Sequence, residues 1–486
     1  MANILGPGAL ADAFFVAFRI PNFLRRIFGE GAFSQAFVPV FSELTESNTL
    51  EAKRFVNASA GILGLVTFVL SVLGIIFAPA IVTAFAPGFI DEPEKFTITV
   101  DALRIMFPYL FCISLIAMSG GVLNTLNRFA VPAVTPVLLN VCLIVAMWVL
   151  VPILDNAARA LAIGVLLAGF IQLAFQVPSL LREGYLPKPV IDWNNKSVRT
   201  MFTLMLPAVF SVSVAQVNML VNTFLASFLI TGSVSWLYFS DRLMEFPVGV
   251  FGVALATVVL PSLSKEHTSG TAESFSAMLD WALRWVIVIA VPATFALYIL
   301  ATPLLTSIFQ YNAFSTDDVI QSALALEAFA IGVCGFIFVK VLAPGFFARQ
   351  DTKTPMKVGV AAVLFNVVLS IVLVRFMAHA GLALAISIAA WLNAFLLLVV
   401  LLRRKIYRPQ PGWWWFIARI ALAVAIMSAC LMLLNAPPQV WFQQTLSERI
   451  LALCLLVGVG GGSYFLSLMV LGIRPRQLLL APVSKQ

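Results

Sequence analysis

The residues in this sequence that could do chemistry are the few charged side chains set inside long apolar stretches. Asp12, Arg19, Asn22, Arg25, Arg26 and Glu30 form one cluster. Asp12, Arg19 and Arg26 are spaced by seven residues, so on a helix they lie along one stripe. Phe14, Phe15, Phe18 and Phe23 take other faces. Asp241, Arg242 and Glu245 form a second cluster, with the carboxylates one turn apart and the arginine beside them. A charge at mid-bilayer costs roughly 2.5–3.5 kcal/mol on insertion scales, so such residues normally face a cavity or a partner. A cavity walled by arginines suits an anion, because guanidinium holds its charge and pairs bidentately with phosphate or carboxylate.

Other readings of the same residues stay open. Arg25 and Arg26 also suit an anchor at the membrane interface. The Asp241–Arg242–Glu245 group also suits a local ion pair in a buried helix. Lys340, in FIFVKVLAPGFF, suits either the same cavity or snorkelling toward headgroups. Arg104, Glu327, Asp280, Arg284 and Arg419 fall nearer span ends and read as interfacial. Pro21, Gly29, Gly31, Pro247, Gly249 and Gly252 break the two charged helices, and such breaks permit bending and alternating access.

The elements that must position these residues follow from composition. Apolar residues make up 61% of the 486 and charged residues only 11%, against about 25% charged in soluble domains. This excludes a soluble enzyme, a disordered chain and a disulfide scaffold. The apolar stretches are continuous rather than alternating, which argues against a membrane barrel. The fold class is therefore an all-α polytopic membrane protein. The net charge of +8 reads as basic loops on one side of a membrane rather than as a nucleic-acid surface. The five cysteines sit in apolar stretches without a CxxC pair, and only two histidines exist, so no metal, disulfide or histidine-based triad is expected.

With about 20 residues per span, thirteen segments are long enough. They run near 8–44 (long and bent), 57–85, 101–126, 131–154, 158–181, 199–228, 233–262, 276–307, 319–347, 355–376, 380–402, 412–435 and 449–473. Alternate loops carry Lys53/Arg54, Arg128, Arg182/Lys188/Lys196/Arg199, Lys265, Arg349/Lys353/Lys357 and Arg403/Arg404/Lys405/Arg408, and the tail adds Arg474, Arg476 and Lys485. The opposite loops offer Lys95 and Arg159, with Arg375 and Arg449 at span edges, and also hold Asp91, Glu92, Glu94, Asp155, Asp317, Asp318 and Glu448. The positive-inside rule then puts the basic set and the C-terminus in the cytoplasm.

The chain also repeats itself. At an offset of 223, Arg19 meets Arg242, Phe23 meets Phe246, Phe28 meets Phe251 and Gly29 meets Gly252. At an offset of 222, Pro39, Ser42 and Cys112 meet Pro261, Ser264 and Cys334. Two parallel copies of about six helices, with a site between them, are a common transporter plan. In the second copy a full helix, about 199–228, precedes the Asp241 element, whereas only MANILGPG precedes its match. The repeat thus predicts one more helix, of about 25 residues, ahead of the present start; the alternative is a true thirteen-span protein.

Three runs carry a family resemblance: DAFFVAFRIPNFLRRIFGEGAFSQAFVPVFSE (12–43), SWLYFSDRLMEFPVGVFGVALATVVLPSLSK (235–265) and KVLAPGFFARQDTKTPMK (340–357). They strongly resemble the MurJ (MviN) family of bacterial lipid II flippases, within the MOP exporter superfamily, and the resemblance extends from near residue 3 to about 475. It implies two lobes, here 1–181 and 199–402, around a cationic cavity, and two last helices, 412–473, forming a groove for a polyprenyl tail. Family positions implicated in transport match Asp12, Asn22, Arg25, Arg26, Ser235, Arg242 and Glu245. With Arg19 from the charged stripe, these are the candidate substrate-binding residues. The implied substrate is lipid II, moved from the cytoplasmic to the periplasmic leaflet of the inner membrane for cell wall synthesis and cell shape. Membrane lipids and peptidoglycan synthesis machinery are the implied partners. No cofactor is expected, and the membrane potential is the implied driver.

Three other functions compete. A drug/cation antiporter of the same superfamily would want an acidic cavity. An O-antigen-type flippase is chemically closer, but the quoted runs argue against it. A polyprenyl-phosphate-dependent enzyme would need a catalytic carboxylate with a metal, or a substantial extramembrane loop.

Overall fold

A computed structural model describes residues 1–27, 32–154 and 156–473. Among these the regular structure is helical throughout. Backbone groups in hydrocarbon must bond within their own segment, and helices do that. Ten helices among the described residues are long and apolar enough to cross a membrane, a count that takes Lys353–Arg403 as one helix and does not confirm the expected thirteen.

Contacts divide the chain into two compact units, with the break between Val234 and Ser235. The first contains α1 (Ala9–Arg25), α2 (Ala32–Ser47), α3 (Thr49–Ile76), α4 (Ala78–Phe85), α5 (Pro93–Met106), α6 (Tyr109–Thr125), α7 (Ala130–Val145), α8 (Ala157–Arg182) and α9 (Lys196–Ser227). The long bent segment expected over 8–44 thus contains α1 and α2; Glu30 lies outside the described residues. The expected 57–85 span starts earlier and is interrupted. Asn48 caps α3, its Oδ1 accepting the N–H groups of Leu50 and Glu51 at 3.0 and 3.2 Å, which starts the helix outside the apolar window. Phe77 leaves helical geometry just before Pro79, and α4 begins anew there. Helix α9, grouped by the repeat with the second copy, packs against α2, α3 and α4 in the first unit.

Water is absent from a bilayer, so helices associate there through packing and polar bonds. In the first unit Phe37 stacks on Phe33, Phe41 and Phe55 at centroid distances of 5.2, 5.6 and 5.1 Å, each such pair contributing about 0.5–1.5 kcal/mol beyond area. This column seats α2 on α3.

The second unit begins within α10 (Ser233–Pro247) and goes on through a π-helical turn (Val248–Val253), α11 (Ala254–Ser269), α12 (Ala272–Ile299), α13 (Ala301–Phe309), α14 (Thr316–Phe347), α15 (Lys353–Arg403), α16 (Trp413–Leu434) and α17 (Leu446–Val470). The 51-residue α15 is two helices meeting at Ala378, whose φ of 47° is non-helical, which matches the expected spans 355–376 and 380–402. Gly381 permits the close return: a Cβ there would lie 2.4 Å from the carbonyl oxygen of Leu373.

The repeat is written in the backbone as well. Asn127 and Gln350, 223 apart, are both left-handed at φ 60° and 59°. The next amides, of Arg128 and Asp351, reach back to Leu123 and Phe346, also 223 apart. The same helix-ending turn therefore closes α6 and α14.

Two polar knots fix the last two helices to their unit. Asp280, on α12 and 1% exposed, accepts from Tyr407 Oη (2.7 Å), Trp413 Nε1 (2.7 Å), the Gln410 amide (3.1 Å) and Arg284 Nε (2.8 Å). Burial, reinforced by the bond to Asp280, pushes the Tyr407 hydroxyl well above its ordinary pKa. Arg449, on α17, is buried and donates to four backbone carbonyls, those of Trp441, Thr306, Gln310 and Phe442, at 3.1–3.2 Å. Both residues read as interfacial or span-edge charges in the sequence; burial makes them structural.

Candidate functional site

The first cluster lies on α1, which crosses α9 in antiparallel register. Arg19 Nη1 donates to Thr223 Oγ1 at 2.7 Å, and Arg26 Nη1 donates to Gln216 Oε1 at 2.9 Å. Just beyond the end of α9, Asp12 Oδ2 accepts the Gly232 amide at 2.7 Å. The arginines step by seven along α1 as Thr223 and Gln216 step back by seven along α9, so the expected stripe is real and faces a helix.

Asp12 also meets Lys95 Nζ at 3.5 Å, with side chains 1% and 2% exposed. Lys95 bonds Glu92 and Thr231, each at 3.2 Å, and lies 4.2 Å over the Phe89 ring. Thr231 Oγ1 donates to Glu92 at 2.8 Å. A buried charge needs a charged, hydrogen-bonded partner, and Asp12 has one. Its carboxylate ties the start of α1 to the start of α5 and to the turn before α10. Asn22 accepts from Arg25 Nε at 2.9 Å, one turn away on the same helix.

The second cluster lies on α10. Arg242 Nη1 donates to Glu245 Oε2 at 2.7 Å, both side chains being 50% exposed, and the guanidinium lies 4.9 Å over Tyr238. Ser235 is fully buried at the start of the helix. Lys340 packs its stem across the π-helical turn, where a Cβ on Gly252 would meet its Cδ at 2.7 Å. Pro247 has no N–H to give and precedes this turn; wide turns of this kind recur at functional sites.

The structure therefore joins Arg19, Arg26 and Asp12 to α9 and the turn after it, pairs Asn22 with Arg25, and pairs Arg242 with Glu245. It adds Gln216, Thr223 and Tyr238, which the sequence did not single out, and Lys95, which read as a loop residue and is buried against Asp12. The seven-residue step from Gln216 to Thr223 in an apolar helix was the available signal.

A family model described as lipid II flippase MurJ matches residues 1–452. The chain belongs to the MurJ family. A relative named probable lipid II flippase MurJ, from Vibrio cholerae, is 43% identical over 489 residues, covering 99% of this chain and 93% of that protein. The lipid II flippase MurJ of Burkholderia cenocepacia is 42% identical over 433 residues, covering 88% and 84%. Among solved structures, a lipid II flippase MurJ in an inward closed conformation is 25% identical, with a TM-score of 0.81 over 96% of this chain and 94% of that one. An inward-facing multidrug MATE transporter of the MOP superfamily matches at a TM-score of 0.68 and 14% identity, covering 82% and 91%, a likeness of fold alone. The chain is thus a multi-pass membrane protein with a MurJ-type transporter fold.

Proposed function

We propose that this protein is a lipid II flippase that moves the lipid-linked peptidoglycan precursor from the cytoplasmic to the periplasmic leaflet by alternating access. The observation that carries the reading is the family match over residues 1–452. The half-exposed Arg242, held by Glu245 and Tyr238, supports it. Tyr238 covers one face of its guanidinium and half of the side chain stays exposed, which suits a pyrophosphate needing planar, bidentate donors. Glu245 orients the arginine rather than touching the substrate, because a carboxylate beside a pyrophosphate would repel it. Arg19, Arg25, Arg26, Asn22, Asp12 and Ser235 complete the proposed substrate path. The two C-terminal helices take the polyprenyl tail, and the π-helical turn after Pro247 supplies bending.

In this reading the protein lies in the inner membrane with its C-terminus in the cytoplasm, beside the peptidoglycan synthesis machinery. The membrane potential drives transport, at about 2.3 kcal/mol per charge per 100 mV. The test is complementation of a flippase-depleted bacterium, with lipid II accessibility in the outer leaflet as readout. Growth rescue with outer-leaflet lipid II supports the proposal. Membrane-inserted protein that neither rescues growth nor moves lipid II would overturn it.

A further inference from the structure

At the basic end of the first unit, a cavity of about 680 Å³ opens where α6 turns into α7 and α8 ends. That volume is within the usual range for small-ligand sites, about 300–1,000 Å³. Its lining includes Arg128, Phe129, Ser179, Arg182 and Glu183. Arg128 Nε is held by Glu183 at 2.8 Å, which fixes the guanidinium while leaving its other nitrogens to donate. Arg182 is exposed. Helix α7 begins here with Phe129 at its N-cap, whose side chain makes no cap, so the Ala130 and Val131 amides are left without a side-chain cap, and Pro132 has no N–H to give. The cavity therefore presents two guanidiniums against one carboxylate, with hydroxyl and amide donors beside them. This is the donor set for a phosphate.

The wall leaving the cavity is apolar. The apolar segment Ala130–Leu154, which α7 begins, is the least internally covered of the ten span candidates. Exposed Val134, Val137, Val141 and Ile144 recur at steps of three and four, so they form one stripe. From Ala130 to Val141 the helix rises about 16 Å, close to the depth of one leaflet, which is about half of 30 Å. A charged head site at the membrane boundary, continued by an apolar stripe of one leaflet's depth, fits a molecule with a phosphate and acyl chains. The equivalent turn of the second unit puts Asp351 where Arg128 stands, so this anion site belongs to the first unit.

We propose that this cavity holds the headgroup of an anionic glycerophospholipid, its phosphate between Arg128 and Arg182 and its acyl chains along the α7 stripe. The occupant ties the α6–α7 turn to the end of α8. The test uses the full chain purified in mild detergent, with phosphatidylglycerol, phosphatidylethanolamine and lipid II titrated separately and bound lipid counted by native mass spectrometry. Wild type retains phosphatidylglycerol in preference to phosphatidylethanolamine. Arg182→Gln lowers that retention about fivefold, and Glu183→Gln raises it by removing the competing carboxylate. The gain in the second variant guards against misfolding as the cause of the loss in the first. Equal retention in wild type and Arg182→Gln overturns the site, as does equal retention of the two phospholipids. Displacement of phosphatidylglycerol by equimolar lipid II, lost in Arg182→Gln, overturns the choice of occupant.

Discussion

Helix α1 and helix α10 occupy matching places in the repeat, yet they handle charge in opposite ways. Arg19 and Arg242 are 223 residues apart, and so are Asp12 and Ser235, Asn22 and Glu245, and Lys95 and Asp318. In the first unit the acid is on α1 and the base at the start of α5, as the pair Asp12–Lys95. In the second, the acid is at the start of α14: Asp318 accepts from Trp236 Nε1 at 2.9 Å. The turns that close α6 and α14 repeat the exchange. Arg128 pairs with Glu183 in one unit, and Asp351 pairs with Arg404 at 2.7 Å in the other. Each of these junctions carries a polar bond, and the side that supplies the negative charge differs between the two units. What differs is the arginine. Arg19 is taken up by Thr223 on another helix, whereas Arg242 keeps its acid one turn away and half its surface open.

The largest expected effect breaks that last contrast. Arg242→Ala should abolish complementation at normal membrane levels, and Arg242→Lys should be impaired, since an ammonium lacks the planar fork. Full activity of the alanine variant at normal expression would remove Arg242 from the transport path. Next come the junctions. Lys95→Met leaves Asp12 buried without its cation and should cost about 3–5 kcal/mol, read as a fall in melting temperature and abundance, with Asp12→Asn in the same chain recovering most of it. Failure of the double variant to recover would mean that Lys95 acts through something other than the pair. Trp236→Phe should cost less, about 1.5–3 kcal/mol, because Asp318 still accepts from Ser315 Oγ at 2.7 Å and its amide at 2.9 Å. A loss equal to that of Lys95→Met would show the two junctions to be alike in energy as well as place.

Glu245 offers a finer discrimination. Glu245→Gln keeps a hydrogen-bond acceptor for Arg242 and should retain more transport than Glu245→Ala; two equally dead variants would argue against an orienting role. The smallest effect is in acid. Hydrogen bonds from Thr354, side chain first and amide second, with Arg404 beside them, hold the Asp351 carboxyl at about 2. Its folded value is depressed, so the stabilisation is complete above the ordinary value of 3.8 and fades as pH falls toward about 2. Asp351→Asn should therefore melt slightly below wild type at pH 5, with the gap narrowing toward pH 3. A gap constant across that range would mean that the carboxylate's charge is not what stabilises the turn.

Much of this is legible in the sequence. The chemistry of the Arg242–Glu245 pair is local, one turn of one helix, and periodicity sees local relations. So is the break near residue 378, where hydropathy dips between two apolar runs. The misses share a cause. Lys95 finds Asp12 across 83 residues, and Asp280 finds Tyr407 across 127, and no spacing rule reaches that far. Helix ends were misplaced where a cap rather than hydropathy decides: Asn48 starts α3 well before its apolar window.

Arg449 carries a consequence for how the protein is made. Its guanidinium satisfies carbonyls of Thr306 and Gln310 at the end of α13, some 140 residues earlier in the chain. Synthesis runs from the N-terminus, so α13 emerges and inserts long before its partner exists. During that interval the Thr306 carbonyl has only the Gln310 amide, at 3.3 Å, and the Gln310 carbonyl must borrow water or a lipid headgroup. Arrival of α17 then exchanges that temporary partner for a permanent one, and the second unit locks only after α17 has been made. The arginine serves as a closing rivet for assembly, and its timing is set by position along the messenger rather than by strength.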